Sequence, residues 1–289
     1  MKDKVKIEKL NTDGIITESR TMTKAVFVNV TKKQLDLILY FASLIKKDDD
    51  EFCTYEISFN EIAKLFCRSN PRTKAVKKTV DEAIKHIMST QFCILDKRTE
   101  CRYYYQIVRA CKYDPKKGTI TFRLSDELKQ FYLLLEKTKY TTYALKEILK
   151  LKTLTDVRIY QWCYAKKDFP NDVPISIEDA KLVFYGKDIE TKEIIRRIKE
   201  SIARINELTG LHVDFEKVYK SKERENKISS LKFHIETNYD VVKEIETKKS
   251  VMEEINNILD DVDVRQLSFD ATKLPDFIEE SEDHPIFED

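Results

Sequence analysis

Glycine and proline are scarce in this sequence, with four glycines and six prolines among 289 residues. Neither G-x-x-x-x-G-K-[ST] nor G-x-G-x-x-G occurs, so the glycine loops that cradle nucleotide phosphates have no counterpart. Long hydrophobic runs are also missing, because Asp36 and Ser43 interrupt the stretch 35–45, which is shorter than the roughly 20 residues that a membrane span needs. These absences argue against a nucleotide hydrolase and against a membrane-spanning protein.

Patterns typical of metal centres and catalytic sites are likewise absent from the sequence. The six cysteines form no C-x-x-C pair, and the four histidines form no H-x-H pair. Because a metal site needs convergent ligands, we expect no bound metal and reduced thiols. We also expect no cofactor and no enzymatic activity. A rolling-circle nickase, with a tyrosine nucleophile and a metal held by paired histidines, is disfavoured for the same reason. The charged start Met1–Lys4 is unlike a secretory signal, which predicts a cytoplasmic protein.

The net charge of +1 conceals a strong asymmetry along the chain. Residues 240–289 contain sixteen acidic and five basic residues, a net charge of −11, which leaves +12 on residues 1–239. A basic body joined to an acidic tail favours a polyanionic partner for the body, and nucleic acid is the first candidate. A solvated, lysine-rich surface is the alternative that charge alone leaves open.

An internal repeat organises the chain. Residues 55–87 align without a gap onto residues 173–205, and eight pairs are identical where chance would give about two. The identical pairs are Ile57/Ile175, Ser58/Ser176, Phe66/Phe184, Thr73/Thr191, Lys74/Lys192, Glu82/Glu200, Ile84/Ile202 and Ile87/Ile205. A preceding segment also repeats, residues 36–40 against 156–160. The chain is therefore expected to contain two copies of one module.

Each copy has the pattern of a helix-turn-helix followed by strands. Ser58 and Ser176 stand where a side-chain oxygen would cap a helix, with an acidic residue three positions further on. Turn-forming strings at 68–71 and 186–188 precede a second helix with an apolar stripe. Strand patterns follow at 92–95, 103–113 and 120–124 in the first copy, and at 211–218 and 228–236, joined by a basic loop at 219–227, in the second.

The predicted fold class is α+β, with two tandem winged-helix domains. We expect an N-terminal arm at 1–24, a first winged helix at 25–137, a second at 138–240, and a largely disordered acidic tail at 241–289.

The second helix of each copy carries cations on the side opposite its apolar stripe. In a helix-turn-helix this helix enters the major groove, so these cations are candidate DNA contacts. The candidates are Lys192, Arg196, Arg197, Lys199 and Arg204 in the second copy, Arg72, Lys74, Lys77 and Lys78 in the first, and Lys220, Lys222 and Arg224 in the second wing loop. Arginine can bind guanine through two hydrogen bonds, whereas lysine is closer to a point charge, so the second copy is predicted to carry more sequence specificity. Solvated amphipathic helices and an ordinary exposed hairpin are the alternatives.

Three segments of the sequence resemble the plasmid replication initiator family, the Rep proteins. Residues 143–160 are similar to the family's helix with its L-K-S-x-x-x-x-x-L-Y pattern, and Ile205-Asn206-Glu207 precedes a hairpin ending at 231–235 as in the family. Residues 19–25 resemble its S-N-x-L-x-x-A opening, with Arg20 where asparagine is usual. The resemblance implies two winged helices that bind repeated origin sites, called iterons, in double-stranded DNA. It also implies origin opening, recruitment of host initiator and replicative helicase, and autorepression as a homodimer.

The predicted strand 103–113 bears on dimerisation. It presents Tyr104, Val108 and Ala110 on one face, and both of its faces are partly apolar. Since members of the family dimerise through the first winged helix, Tyr104 and Val108 are the candidate dimer residues. A well-packed tyrosine-rich strand is the alternative. A transcriptional regulator without a role in replication is the alternative function.

Overall fold

A computed structural model of the chain describes residues 5–8, 11–28, 30–46, 49–66, 74–114, 116–135, 139–169, 173–222 and 225–237. Its α-helices are α1 (Arg20–Lys24), α2 (Lys32–Ser43), α3 (Phe59–Phe66), α4 (Lys74–Ile87), α5 (Lys129–Tyr132), α6 (Leu145–Lys150), α7 (Leu154–Tyr164), α8 (Ile177–Ala180) and α9 (Thr191–Leu208). Its strands are β1 (Val5–Glu8), β2 (Ile15–Ser19), β3 (Val26–Val28), β4 (Thr54–Ser58), β5 (Gln91–Leu95), β6 (Arg102–Gln106), β7 (Val108–Asp114), β8 (Thr119–Leu124), β9 (Tyr140–Ala144), β10 (Val173–Ser176), β11 (Leu211–Lys222) and β12 (Glu225–Thr237). The predicted α+β class is confirmed.

The internal repeat is visible as two equivalent runs of elements. The first run is β4, α3 and α4, and the second is β10, α8, a π-helical turn at Lys181–Tyr185, and α9. Ser58 Oγ accepts a hydrogen bond from the Glu61 backbone N–H at 3.2 Å, and Ser176 Oγ accepts one from the Asp179 N–H at 3.0 Å. Both predicted helix caps are therefore confirmed. The first predicted turn, at 68–71, lies outside the described residues.

Gly186 ends the π-helical turn in the left-handed conformation, at φ +66°. A side chain here would be strained, and a Cβ atom would also come within 3.1 Å of the Phe27 carbonyl oxygen of β3. The turn predicted at 186–188 is confirmed, and it lies against a strand that precedes the first repeat in the chain.

Helices α2 and α7 are a second equivalent pair, and each contains a buried aspartate. Asp36 of α2 forms an ion pair with Lys32 of the same helix, whereas Asp156 of α7 accepts two hydrogen bonds from Arg204 of α9. Burial raises the pKa of Asp36 to about 6, against the opposing effect of Lys32. Burial also acts to raise the pKa of Asp156, but hydrogen bonds from Arg204, Ser201 and Thr153 outweigh it and leave that pKa below its ordinary value. The pKa is thus raised for Asp36 and lowered for Asp156, although the two carboxyls occupy equivalent positions.

The described strands form four sheets, with strand orders β1-β4-β8-β7, β3-β5-β6, β10-β12-β11 and β2-β9. The strand predicted at 103–113 is wrong as one element, because it divides at Ile107 into β6, which pairs with β5, and β7, which pairs with β8. Ile107 donates its N–H to the Thr90 carbonyl at 3.2 Å and accepts from the Ser125 N–H at 3.0 Å. Both Ile107 and Val108 are buried, so the chain passes through the core between the two sheets instead of alternating along one.

This division corrects one of the candidate dimer residues. Val108 has no exposed surface and belongs to the core, whereas the prediction placed it on an exposed face. Tyr104 is 58% exposed on β6 and is available to a partner.

The second wing is longer than predicted. Strands β11 and β12 pair from Leu211↔Thr237 to Lys222↔Glu225, with a bulge between Val218 and Tyr219, so most of the loop expected at 219–227 is strand. Strands of a two-stranded hairpin can carry charged side chains that face solvent. The high charge of residues 219–227 is therefore compatible with strands as well as with a loop.

The segment that precedes the first repeat is joined to the second half of the chain by strand pairing and by a buried arginine. β2 pairs with β9 along Ile15↔Ala144 to Ser19↔Tyr140. The buried Arg158 of α7 donates to the carbonyls of Met22, Thr23 and Ala25 at 3.2, 2.9 and 2.7 Å. Residues 15–24, expected as part of an N-terminal arm, are thereby built into the fold. The predicted domain boundaries themselves stay predictions.

Candidate nucleic-acid interface

Helix α9 is the most strongly amphipathic element of the second repeat. Its buried face is an isoleucine stripe, as predicted, formed by Ile194, Ile195, Ile198, Ile202 and Ile205. These side chains pack into the common core, so the opposite face of the helix is presented to solvent. Lys192, Arg196 and Lys199 are exposed on α9, as a DNA-contacting helix requires.

The two arginines near the start of α9 converge on one carboxylate. Arg196 donates through Nε and Nη2 to the two oxygens of Glu193, at 2.9 and 2.7 Å, and through Nη1 to Glu200. Arg197 donates through Nε to the same Glu193, at 2.6 Å. Hydrogen bonds from Arg196 and Arg197 lower the pKa of Glu193 to about 2, so this carboxylate is ionised at neutral pH. Sequence reasoning missed Glu193, although its i, i+3 and i, i+4 spacing to the arginines was a usable signal.

Arg204 binds a different partner. Its Nε and Nη2 atoms lie 3.0 and 2.7 Å from the two oxygens of Asp156, whose side chain is fully buried. The hydrogen bond to Asp156 raises the pKa of Arg204, in agreement with the lowered pKa of its partner. This fork connects α9 to α7. DNA contact by Arg204 stays a prediction, and the side chain has a structural role beside it.

The second wing carries an unusual pair of charges. Lys220 of β11 lies directly opposite Lys227 of β12, and both side chains are exposed. Like charges opposite each other destabilise a hairpin, and a nearby polyanion would relieve the repulsion. The adjacent Tyr219 is 51% exposed and was not among the predicted site residues. Arg224 and the side chain of Lys222 lie outside the described residues.

The first repeat is only partly described at its candidate contacts. Lys78 is exposed on α4, with Nζ 3.8 Å from the Glu82 carboxylate. Arg72 and the side chains of Lys74 and Lys77 lie outside the described part of the chain. In the repeat alignment Lys78 and Glu82 correspond to Arg196 and Glu200, so both second helices present a cation and a carboxylate in the same arrangement.

Two other kinds of site are absent from the described residues. No group of three or more histidine, cysteine, aspartate or glutamate residues in that part of the chain is placed to hold a metal ion. None of the helices in the same residues is long and apolar enough to cross a membrane.

The chain is similar to a known family and to solved structures. The family model for the initiator replication protein, WH1, matches residues 15–164. The crystal structure of Pi initiator protein in complex with iteron DNA is 16% identical in sequence, with a TM-score of 0.61, and the match covers 80% of this chain and 100% of that one. A structure of domains 2 and 3 of RctB is 13% identical, with a TM-score of 0.42, over 70% of this chain and 81% of that one. No curated protein matches the chain.

Proposed function

Because the chain belongs to the initiator replication protein family, we propose that it binds repeated sites, iterons, in the double-stranded DNA of a replication origin and starts replication there. The Pi initiator protein, which shares the fold, was crystallised with iteron DNA. The observation that carries the proposal is the exposed cationic face of α9, with Lys192, Arg196 and Lys199 on a helix whose other face is buried.

The proposed docking places α9 in the major groove. Residues near the N-terminus of such a helix contact base edges, which assigns base recognition to Arg196 and Arg197. Flanking cations neutralise phosphates. We assign that role to Lys192, Lys199 and Arg204 on α9, to Lys220, Lys222 and Arg224 on the wing, and to Arg72, Lys74, Lys77 and Lys78 in the first repeat.

We further propose that the chain forms a homodimer through β6. Among the described strands β6 is the last of its sheet, so a strand of a second copy could extend the sheet at that edge. An antiparallel pairing of two copies about Tyr104 would place Arg102 opposite Gln106 of the second copy and bring the two Tyr104 rings together.

The dimer would act as an autorepressor, and the monomer would open the origin and recruit host initiator and replicative helicase. Tyr104→Asp should then give a monomer in sedimentation velocity at a concentration where the unaltered chain dimerises. An unchanged dimer fraction would remove β6 from the interface.

The central experiment is footprinting on the DNA that flanks the coding gene. The unaltered chain should protect direct repeats, and the double variant Arg196→Ala/Arg197→Ala should bind them at least about 30-fold more weakly, from the loss of two base contacts. Arg109→Ala/Lys112→Ala is the matched control, because it removes two exposed cations from β7. Equal binding by the two double variants would contradict the assignment of α9.

A second assay separates replication from regulation. A plasmid that carries the protected repeats and no other origin should replicate only when the unaltered chain is supplied. If the repeats are protected but such a plasmid is never maintained, the chain is a transcriptional regulator and the replication role is wrong.

A further inference from the structure

Glu193 is the third residue of α9, in the part of the helix that the proposed docking brings to the bases. Its carboxylate is a shared acceptor for Arg196 and Arg197, with N–O distances of 2.6–2.9 Å. We infer that Glu193 is a positioning residue for base recognition, which holds both arginines in the orientation that reads the DNA sequence. The inference rests on the proposed function and assigns the source of its specificity.

The hydrogen-bond count on Arg196 supports this role. A guanidinium has five N–H donors, and Glu193 and Glu200 together take three of those on Arg196. One N–H remains on each terminal nitrogen. Two such donors are what guanine requires for a bidentate contact through O6 and N7. The two carboxylates therefore orient the guanidinium and leave two of its N–H groups for a base.

Orientation has an energetic consequence for binding. A free arginine loses side-chain entropy when it is fixed against a base, whereas a side chain already fixed by a carboxylate has lost much of that entropy before binding. The same carboxylate repels DNA phosphates of every sequence. Glu193 should therefore weaken binding to random DNA and strengthen binding to the correct site.

The internal repeat offers a comparison within the chain. The position in α4 that corresponds to Glu193 is Ala75, and the position that corresponds to Arg197 is Thr79. The first copy thus has neither the second arginine nor the carboxylate shared by two arginines. This difference agrees with base recognition by α9 and phosphate contact by α4.

The test compares Glu193→Gln with Glu207→Gln in the full chain. Glu207 is exposed further along α9, so its variant makes the same change of charge on the same helix. Fluorescence anisotropy would measure binding to a protected repeat and to a scrambled duplex of equal length, at one salt concentration. Glu207→Gln should tighten binding to both duplexes by the same small factor. Glu193→Gln should weaken binding to the repeat by at least about 5-fold and should not weaken binding to the scrambled duplex.

Every other outcome would overturn the inference. If Glu193→Gln tightens binding to both duplexes as Glu207→Gln does, Glu193 acts only by repelling phosphates. If Glu193→Gln weakens binding to both duplexes equally, the role of Glu193 is structural. Glu193→Ala should reproduce the glutamine result, and its melting temperature is the check on folding. Arg196→Ala separates this test from the proposed function. Unchanged binding by Arg196→Ala removes α9 as the reading helix, whereas weakened binding with no effect of Glu193→Gln removes only the positioning role.

Discussion

Arg204→Ala should destabilise the fold more than it weakens DNA binding. Removal of one partner from a buried ion pair costs about 3–5 kcal/mol, because the remaining charge loses its compensation. Asp156 keeps a hydrogen bond from the Thr153 N–H at 2.9 Å, and the Arg204 side chain is 28% exposed. We therefore expect a smaller loss of about 2–3 kcal/mol, which corresponds to a melting temperature lower by about 3–5 °C in a chain of this size.

The pH dependence of this loss identifies its cause. The pKa of Asp156 lies below its ordinary value in the folded protein, so the stability from its ion pair is present above the unfolded pKa of about 3.9 and is lost as pH falls through the folded pKa. The difference in unfolding free energy between the unaltered chain and Arg204→Ala should be full at pH 7 and should shrink below about pH 4. Urea denaturation at a series of pH values measures it.

A double-mutant cycle completes the test. Asp156→Asn removes the charge that Arg204 compensates, so Arg204→Ala should cost less in the Asp156→Asn background than alone. If Arg204→Ala leaves the unfolding free energy unchanged and weakens binding to the repeat, Arg204 is a DNA contact and the structural role is wrong.

Three further predictions concern other parts of the chain. Burial raises the pKa of Glu18 to about 7 against the effects of Tyr143 and Arg158, so the unaltered chain should lose stability as pH rises from about 4.3 through 7. Glu18→Gln should flatten this dependence in urea denaturation, and an unaltered slope would contradict the raised pKa. Lys220→Ala/Lys227→Ala should reduce the magnitude of the slope of log affinity against log salt by about two, since each lysine would neutralise one phosphate. An unchanged slope would mean that these two lysines do not contact DNA. Deletion of residues 240–289, with their net charge of −11, should tighten binding to random DNA at low salt and change binding to the specific site much less. Equal affinity for random DNA with and without the tail would mean that the tail does not compete with phosphates.

Features set by local sequence could be predicted, and those set by packing between distant segments could not. The caps at Ser58 and Ser176 and the isoleucine stripe of α9 depend on residues within one or two turns, and all of them are observed. The division of the strand at Ile107 depends on contacts with Thr90 and Ser125, which the alternation along residues 103–113 does not reveal.

The candidate site shows the same limit. The cationic face of α9 follows from helical periodicity, so Lys192, Arg196 and Lys199 could be found as an exposed set. The contact between Arg204 and Asp156 could not be predicted, because the two residues are 48 positions apart and meet only when α7 packs on α9. Glu193 was overlooked for another reason, since a search for cations that contact DNA gives no weight to a carboxylate between them.

The two buried aspartates connect the helices of the two repeats differently. Asp156 fastens α9 to α7 through Arg204, whereas the equivalent Asp36 is satisfied by Lys32 of its own helix, and His86, at the position of Arg204, is exposed on α4. A helix fastened to its neighbour tolerates little misfit and rejects sequences that do not match it. If α9 reads bases and α4 contacts phosphates, as we propose, the tie to α7 is present in the copy that has to discriminate between sequences.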